Sequence, residues 1–243
     1  MTITILDGGM GQELLARSAT QATGLWSAQI LLDDPDLVRA VHADYLAAGA
    51  DVITTNSYIL HRDRLAPFGV EDRFEQLHRL ACRLAVEARD AHGAGLVAGS
   101  LGPNARSYRP DLALPEDQAA EAFAEIARFQ APYVDLLLCE TMSSIEQARG
   151  AVLGARTVGL PVWLAVTVDD YDGTKLRSGQ EISLVVELCN AMSLDTVLVN
   201  CSIPEAVDMA VGALTGCGLR VGAYANGFTH INDAFLEPGA TVD

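Results

Sequence analysis

The sequence alternates short β-branched or apolar runs with longer amphipathic stretches, and this alternation restricts the possible folds more than any other feature. Seven short runs have the composition of parallel strands that are buried on both faces. They lie at residues 3–6, 52–55, 96–98, 134–139, 162–166, 196–199 and 220–224. Helix-like stretches lie at residues 36–48, 72–91, 115–130, 144–157, 182–192 and 204–214. The pattern predicts an α/β fold with a parallel sheet.

Repeated βα units of this kind form either an open doubly wound sheet or an eight-stranded barrel. The open sheet usually has a G-x-G-x-x-G turn after its first strand, followed about 20 residues later by an acidic residue. The segment Gly8-Gly9-Met10-Gly11 follows the first run here, but it lacks that spacing. The sequence therefore favours a (β/α)8 barrel of the TIM type.

The length of the chain fits one domain but not all eight units of such a barrel. No linker rich in Pro, Gly or Ser and no block of charge divides the 243 residues, so we expect a single domain over residues 1–243. Only seven strands are predicted, and the sequence ends soon after the seventh, at Asp243. We therefore expect the eighth βα unit to be missing. Such a barrel would have unpaired strand edges that a second copy of the chain could cover, so a homo-oligomer is one expectation.

The charge and composition exclude several classes of partner. The sequence has 16 basic and 32 acidic residues, a net charge of −16, which disfavours binding to nucleic acid and to anionic membranes. No apolar run approaches the roughly 20 residues that span a bilayer, and the N-terminus lacks the basic start of a signal peptide. Five cysteines, an odd number in a chain of this size, are expected to be reduced thiols. These features predict a cytoplasmic protein.

In a barrel of this type, the reactive groups lie where the strands end and in the loops that follow. Asp7 and Glu140 each come directly after an apolar run. A carboxylate at the end of a buried strand is costly unless a cation or several donors meet it. The two acids therefore predict a cationic ligand such as an amino group, although either could instead cap the next helix.

The cysteines can be sorted by the same geometry. Four of them are placed in helices, on the helix-facing side of a strand or at the opposite end of the barrel: Cys82, Cys139, Cys189 and Cys217. Cys201 alone follows a strand at the end where chemistry is expected. A single thiol in such a position is more often a packing residue. His61 and His230 fall in loops at the same end, without the spacing of metal ligands.

Taken together, the strand ends resemble the homocysteine S-methyltransferase family. Six segments in the family's order carry the resemblance: residues 5–14 (ILDGGMGQEL), 25–28 (LWSA), 49–58 (GADVITTNSY), 99–103 (GSLGP), 139–141 (CET) and 199–202 (VNCS). The resemblance implies a (β/α)8 barrel in which zinc binds homocysteine as a thiolate. That thiolate then attacks the methyl group of a small donor and gives methionine.

The resemblance also implies roles for individual residues. Cys201 corresponds to a zinc ligand and catalytic residue, and Asp7 and Glu140 correspond to the acids that hold the amino group of homocysteine. The backbone at Gly8 and Gly9 would lie against the ligand. The predicted substrate site also includes Ser57, Tyr58, Asn200 and Asn226.

One departure from the family pattern is as informative as the match. The family supplies two further zinc thiolates from a Gly-Gly-Cys-Cys motif at the end of the eighth strand, and this sequence contains no adjacent cysteines. We therefore expect a C-terminally shortened chain. Zinc is implied for the complete protein, and its binding by this chain is expected to be weak or absent.

Two other functions remain open at this stage. The first is an amino-acid-binding or regulatory barrel that keeps Asp7 and Glu140 but has lost zinc and transfer activity. The second is a metal-free lyase or aldolase. Such an enzyme usually needs a Schiff-base lysine, and the nearest candidate, Lys175, lies in a segment typical of a solvated turn.

The sequence does not identify the methyl donor. Betaine, S-methylmethionine and methylfolate enzymes of the family share the homocysteine half of the site. Residues 104–114, with Tyr108, Arg106 and Arg109, follow the third predicted strand and form a candidate donor-side loop. The aromatic ring could meet a cationic donor, whereas the two arginines argue against a purely cationic one.

Overall fold

A computed structural model describes residues 3–18, 24–104 and 106–227 of the protein. The chain divides into two compact units. The first comprises Met1–Ser100 and Ile126–Leu137, and the second comprises Leu101–Glu125 and Leu138–Asp243. The single domain expected over residues 1–243 stays a prediction.

The first unit combines helices with parallel strands. Its elements are α1 (Met10–Arg17), α2 (Ser27–Asp33), α3 (Pro35–Ala47), β1 (Val52–Thr54), α4 (Arg62–Leu65), α5 (Phe74–His92) and all but the last residue of β2 (Leu96–Leu101). β1 and β2 are parallel neighbours, with Val52 beside Leu96 and Thr54 beside Ala98. The carboxyl ends of β1 and β2 therefore lie on the same edge of the sheet.

Helix α3 begins as its sequence predicts. The Asp34 side chain accepts a hydrogen bond from the Leu37 N–H at 3.1 Å, and Pro35 occupies the first turn, where its missing N–H leaves no bond unmade. α3 packs against α5, an amphipathic helix of 19 residues. Among the described residues, no helix is both long enough and apolar enough to cross a membrane.

The second unit contains parallel strands that are neighbours in chain order. Its elements are most of α6 (Glu116–Gln130), most of β3 (Leu136–Met142), α7 (Ile145–Ala155), β4 (Val162–Val166), α8 (Ser183–Ala191), β5 (Thr196–Asn200), α9 (Pro204–Leu214) and β6 (Arg220–Tyr224). Every residue of β3, β4 and β5 is buried. Burial on both faces explains why these strands are continuous apolar runs in the sequence.

The α/β class with parallel strands is confirmed, and six of the seven predicted strands are present. The prediction for residues 3–6 was wrong as far as the chain is described, because with those residues this segment forms only one bridge, from Leu6 to Val52. The side chains of Ile3 and Ile5 are 81% and 54% exposed, so nothing in the described part of the chain packs both faces of this segment. The prediction of a complete eight-stranded barrel also depends on residues after 227, which lie outside the described residues, so it stays a prediction.

Burial of His42 on α3 makes the stability of the protein sensitive to acid. The imidazole is fully buried, and neither ring nitrogen has a hydrogen-bond partner among the described residues. Burial lowers the pKa of His42 from 6.5 to about 3. Between these two values the unfolded chain binds a proton that the folded chain does not, so the free energy of unfolding falls as the pH decreases below 6.5.

We predict that His42→Leu flattens this acid dependence. In urea denaturation of the wild type, His42 should lower the free energy of unfolding by an amount that approaches about 1.4 kcal/mol for each unit of decrease in pH between pH 6 and pH 4. The variant should lack that contribution. His92→Gln, at an exposed position on the same unit, is the control and should retain the wild-type slope. An unchanged slope in His42→Leu would contradict the assignment.

Candidate functional site

In the first unit, Asp7 is held by the end of β1. Its Oδ2 accepts a hydrogen bond from the Thr54 N–H at 2.6 Å, and its Oδ1 accepts one from the Thr54 hydroxyl at 3.0 Å. The side chain is half-buried. Two donors on a single neighbour fix the plane of the carboxylate.

The backbone after Asp7 runs close to an aromatic ring. A Cβ atom at Gly8 would lie 2.8 Å from a ring carbon of Tyr45, so the space admits only glycine unless the ring moves. Burial raises the pKa of Tyr45, and the negative charges of Glu13 and Asp7 act in the same direction. Gly8 and Gly9 are exposed and leave their backbone accessible to a ligand.

Ser57 lies in a buried hydrogen-bond network of the first unit. Its hydroxyl donates to the Ser100 carbonyl at 3.0 Å and accepts from the Gln130 side-chain amide at 3.1 Å. The Thr55 hydroxyl lies 2.8 Å away. The side chain is thus occupied in joining strand ends, and its predicted contact with substrate stays a prediction.

Tyr58, which follows Ser57, is half-buried. It meets Trp26 edge to face, with 6.2 Å between the ring centroids. Its predicted role in substrate binding also stays a prediction. Of the two loop histidines, His61 is buried just before α4, and His230 lies outside the described residues.

In the second unit, a chain of hydrogen bonds joins Glu140 to the ends of β5 and β6. The Tyr224 hydroxyl donates to Glu140 Oε2 at 2.5 Å and accepts from the Asn200 side-chain amide at 2.7 Å. Glu140 is only 8% exposed, and Asn200 is fully buried. Burial raises the pKa of Tyr224 well above its usual value, as does the Glu140 carboxylate beside it. Tyr224 therefore acts as a neutral donor to that acid.

Thr141 connects this chain to Cys201. The Thr141 N–H donates to Asn200 Oδ1 at 3.1 Å, and Asn200 Nδ2 lies 2.9 Å from the Thr141 hydroxyl. That hydroxyl donates in turn to Cys201 Sγ at 3.4 Å. Thr141 and Cys201 both have left-handed backbones, with φ of 63° and 52°. We call Glu140, Thr141, Asn200, Cys201 and Tyr224 the Cys201 cluster.

The Cys201 thiol keeps its proton at neutral pH in the described surroundings. Burial raises the pKa of this thiol to about 12, and the nearby Glu140 carboxylate acts in the same direction. Hydrogen bonds from Thr141 and Tyr108 act in the opposite direction, as does the positive charge of Arg177. At neutral pH the thiol is therefore protonated unless a further positive charge lies beside it.

The described residues do not form a complete metal site. They contain no group of three or more His, Cys, Asp or Glu side chains that could hold a metal ion. Cys82, Cys139 and Cys189 are buried, and burial raises the pKa of each thiol. Cys217 lies between α9 and β6, before the strand and not after it. Cys201 could supply one thiolate, and the described residues do not complete the set.

Asn226 follows β6 with one polar group unused. Its N–H donates to the Ser202 carbonyl at 2.9 Å. Its side-chain Nδ2 is buried and has no hydrogen-bond partner among the described residues. A buried amide donor in this state favours a ligand acceptor.

Several residues at these strand ends were not predicted. Thr54, Thr141 and Tyr224 each supply a hydroxyl to a predicted residue. Tyr224 ends a predicted strand, and that position is the signal that could have identified it. Thr54 and Thr141 lie in segments that carry the family resemblance, but nothing distinguishes them within those segments, because threonine is common in strands.

The arginines of the predicted donor-side loop and the candidate Schiff-base residue Lys175 lie at the surface or in ion pairs. Arg109 pairs with Asp111 at 2.5 Å, and Arg106 is exposed. Lys175 lies 3.3 Å from Asp172, and both side chains are more than 40% exposed. This agrees with a solvated turn and gives no support to a Schiff-base lysine.

Comparison with known proteins gives a consistent result. A family model described as homocysteine S-methyltransferase matches residues 4–239. The chain is 32% identical over 253 residues to homocysteine S-methyltransferase of Escherichia coli strain K12, with 94% of this chain and 79% of that protein covered. It is 30% identical over 233 residues to homocysteine S-methyltransferase 1 of Brassica oleracea var. italica, with 84% and 70% covered.

A solved structure agrees with these relatives. The crystal structure of the homocysteine methyltransferase MmuM from Escherichia coli, in its metallated form, matches with a TM-score of 0.77 at 28% identity. The match covers 93% of this chain and 92% of that chain.

We predict that Asn200→Ala destabilises the protein. The substitution leaves the buried Thr141 N–H and the Tyr224 hydroxyl each without one partner. The free energy of unfolding, measured by urea denaturation, should fall by about 2–3 kcal/mol. Asn190→Ala, at an exposed position on α8, is the matched control and should change it little. Equal effects of the two substitutions would show that the amide does not join the strand ends.

Proposed function

The chain belongs to the homocysteine S-methyltransferase family, and we propose that it transfers a methyl group from a small donor to the sulfur of homocysteine, which gives methionine. The observation that supports this most directly is the Cys201 cluster. In this cluster one hydrogen-bond network contains both Glu140, an acid that could bind the amino group of an amino acid, and the Cys201 thiol. A Schiff-base enzyme would need a lysine at this place.

Glu140 is the group that we assign to the homocysteine ammonium. One of its oxygens accepts the Tyr224 hydrogen bond, which orients the carboxylate. A buried ionised acid is stabilised when a cation arrives, so ligand binding offsets the cost of its burial. Asp7 has the same predicted role, and its orientation by Thr54 supports it.

We propose that the metal of this family is zinc and that Cys201 is one of its ligands. Hydrogen bonds from Thr141 and Asn200 reach the Cys201 sulfur and offset part of the cost of ionising this buried thiol, and a bound metal cation would supply the positive charge that a thiolate needs there. Zinc binding requires a deprotonated thiol, so metal affinity should rise with pH. Because the described residues supply only this one ligand, we expect them to hold zinc weakly on their own.

The remaining proposals concern fold and context. We propose that the parallel strands belong to a (β/α)8 barrel and that the protein acts in the cytoplasm in methionine biosynthesis. The methyl donor is a small molecule whose identity the sequence does not determine.

We predict that Glu140→Gln weakens homocysteine binding measured by calorimetry. Loss of the charge leaves a neutral acceptor, so the dissociation constant should rise about tenfold or more. Asp7→Asn should act in the same direction. Glu121→Gln removes an equal charge from an exposed position on α6 and should not change binding. Unchanged binding in Glu140→Gln would reject its assignment to the amino group.

We predict that Cys201→Ala abolishes methyl transfer in zinc-supplemented buffer and lowers zinc content measured by mass spectrometry, while the circular dichroism spectrum is preserved. Cys217→Ser is the control and should retain both properties. Full activity of Cys201→Ala would return this thiol to a packing role. Homocysteine binding without any transfer by the wild type would instead favour the amino-acid-binding protein.

A further inference from the structure

Arg177 forms a buried ion pair that the proposed reaction does not explain. It lies in the loop between β4 and α8, and its Nη2 lies 2.7 Å from Asp170 Oδ1. Its Nη1 lies 3.4 Å from the other oxygen of the same carboxylate. The two side chains are only 11% and 5% exposed. Removing both charges from water is costly, and the two-point contact indicates that this geometry is specific.

The guanidinium also contacts Tyr108, in the predicted donor-side loop. Arg177 Cζ lies 4.9 Å from the centroid of the Tyr108 ring, within the range of a cation–π contact. Tyr108 has a left-handed backbone, with φ of 64°. The Tyr108 hydroxyl also acts to lower the pKa of the Cys201 thiol. One planar cation therefore supports the Tyr108 ring.

A second path leads from the same arginine to the backbone of Cys201. Arg177 Nε donates to the Thr167 hydroxyl at 3.0 Å. That hydroxyl lies 3.1 Å from the Cys201 carbonyl oxygen and 3.0 Å from the Ser202 hydroxyl. Arg177 thus reaches the main chain of Cys201 through a single intermediate, Thr167.

We propose that Arg177 and Asp170 are positioning residues, which fix the main chain of Cys201 through Thr167, hold the Tyr108 ring in place and so set the geometry of methyl transfer. The proposal rests on the proposed function. Binding of a substrate carboxylate by Arg177 is a weaker assignment, because Asp170 already neutralises its charge and three of its N–H groups are occupied. The described hydrogen bonds of Arg177 go to Asp170 and Thr167, and its ring contact is with Tyr108, so we expect the affinity for homocysteine to depend little on it.

The test is a double-mutant cycle with Arg177→Lys and Tyr108→Leu in zinc-supplemented buffer. Lysine keeps the charge but loses the planar fork and the stacking surface. Each single variant should lower kcat about tenfold or more, since transfer requires close alignment of the reacting atoms. The dissociation constant for homocysteine, measured by calorimetry, should stay within about twofold of the wild type. The double variant should lose less than the product of the two single losses.

Hydrogen exchange gives a readout that does not depend on transfer. Peptides covering residues 106–114 should exchange faster in Arg177→Lys than in the wild type, because the ring loses its support. Lys175→Ala, in the same loop as Arg177, is the control and should change neither exchange nor kcat.

The outcomes separate the two proposals. A wild type that binds homocysteine without transferring a methyl group, yet shows faster exchange in Arg177→Lys, would contradict the proposed function and support the contact of Arg177 with the loop. An active wild type with unchanged kcat or unchanged exchange in Arg177→Lys would overturn the positioning role. Fully multiplicative losses in the double variant would also overturn it, because the two residues would then act independently.

Discussion

The organisation of the Cys201 cluster depends on the side-chain amide of Asn200. A planar amide offers an acceptor and two donors, and Asn200 uses both kinds: its oxygen meets the Thr141 N–H, and its nitrogen meets two hydroxyls. One residue at the end of β5 thereby joins the ends of β3 and β6. A carboxylate of the same shape could not donate, and an apolar side chain would leave a buried backbone N–H unpaired. The positions of Glu140 and Cys201 follow from this choice.

The strands were largely predictable, because burial on both faces leaves a continuous apolar run. The predicted strand at residues 162–166 coincides with β4, every residue of which is buried. Residues 3–6 have a similar composition, yet among the described residues this segment forms a single bridge and exposes Ile3 and Ile5. Composition reports how well a segment suits a sheet. Composition does not report how many other strands the segment pairs with.

The site was predictable only where position along a strand carries information. Glu140, Asn200 and Cys201 follow apolar runs, and the structure joins them in one network. Arg177 gives no such signal, because its contacts with Tyr108 and Thr167 arise only when distant loops fold together. Ser57 follows a run as clearly as Glu140 does, but its hydroxyl is occupied in a buried network. Sequence position identifies the end of a strand and not the direction of the side chain.

The left-handed backbones of Thr141 and Cys201 have a consequence for how densely a strand end can be used. Neighbouring residues of a strand normally point to opposite faces, so only every second one can serve a given site. Here Glu140 and Thr141 contribute to the same cluster, and so do Asn200 and Cys201. The left-handed turn costs roughly 1–2 kcal/mol per residue. In return, each of two strands delivers two adjacent functional groups, and four of the five side chains in the cluster come from just two dipeptides.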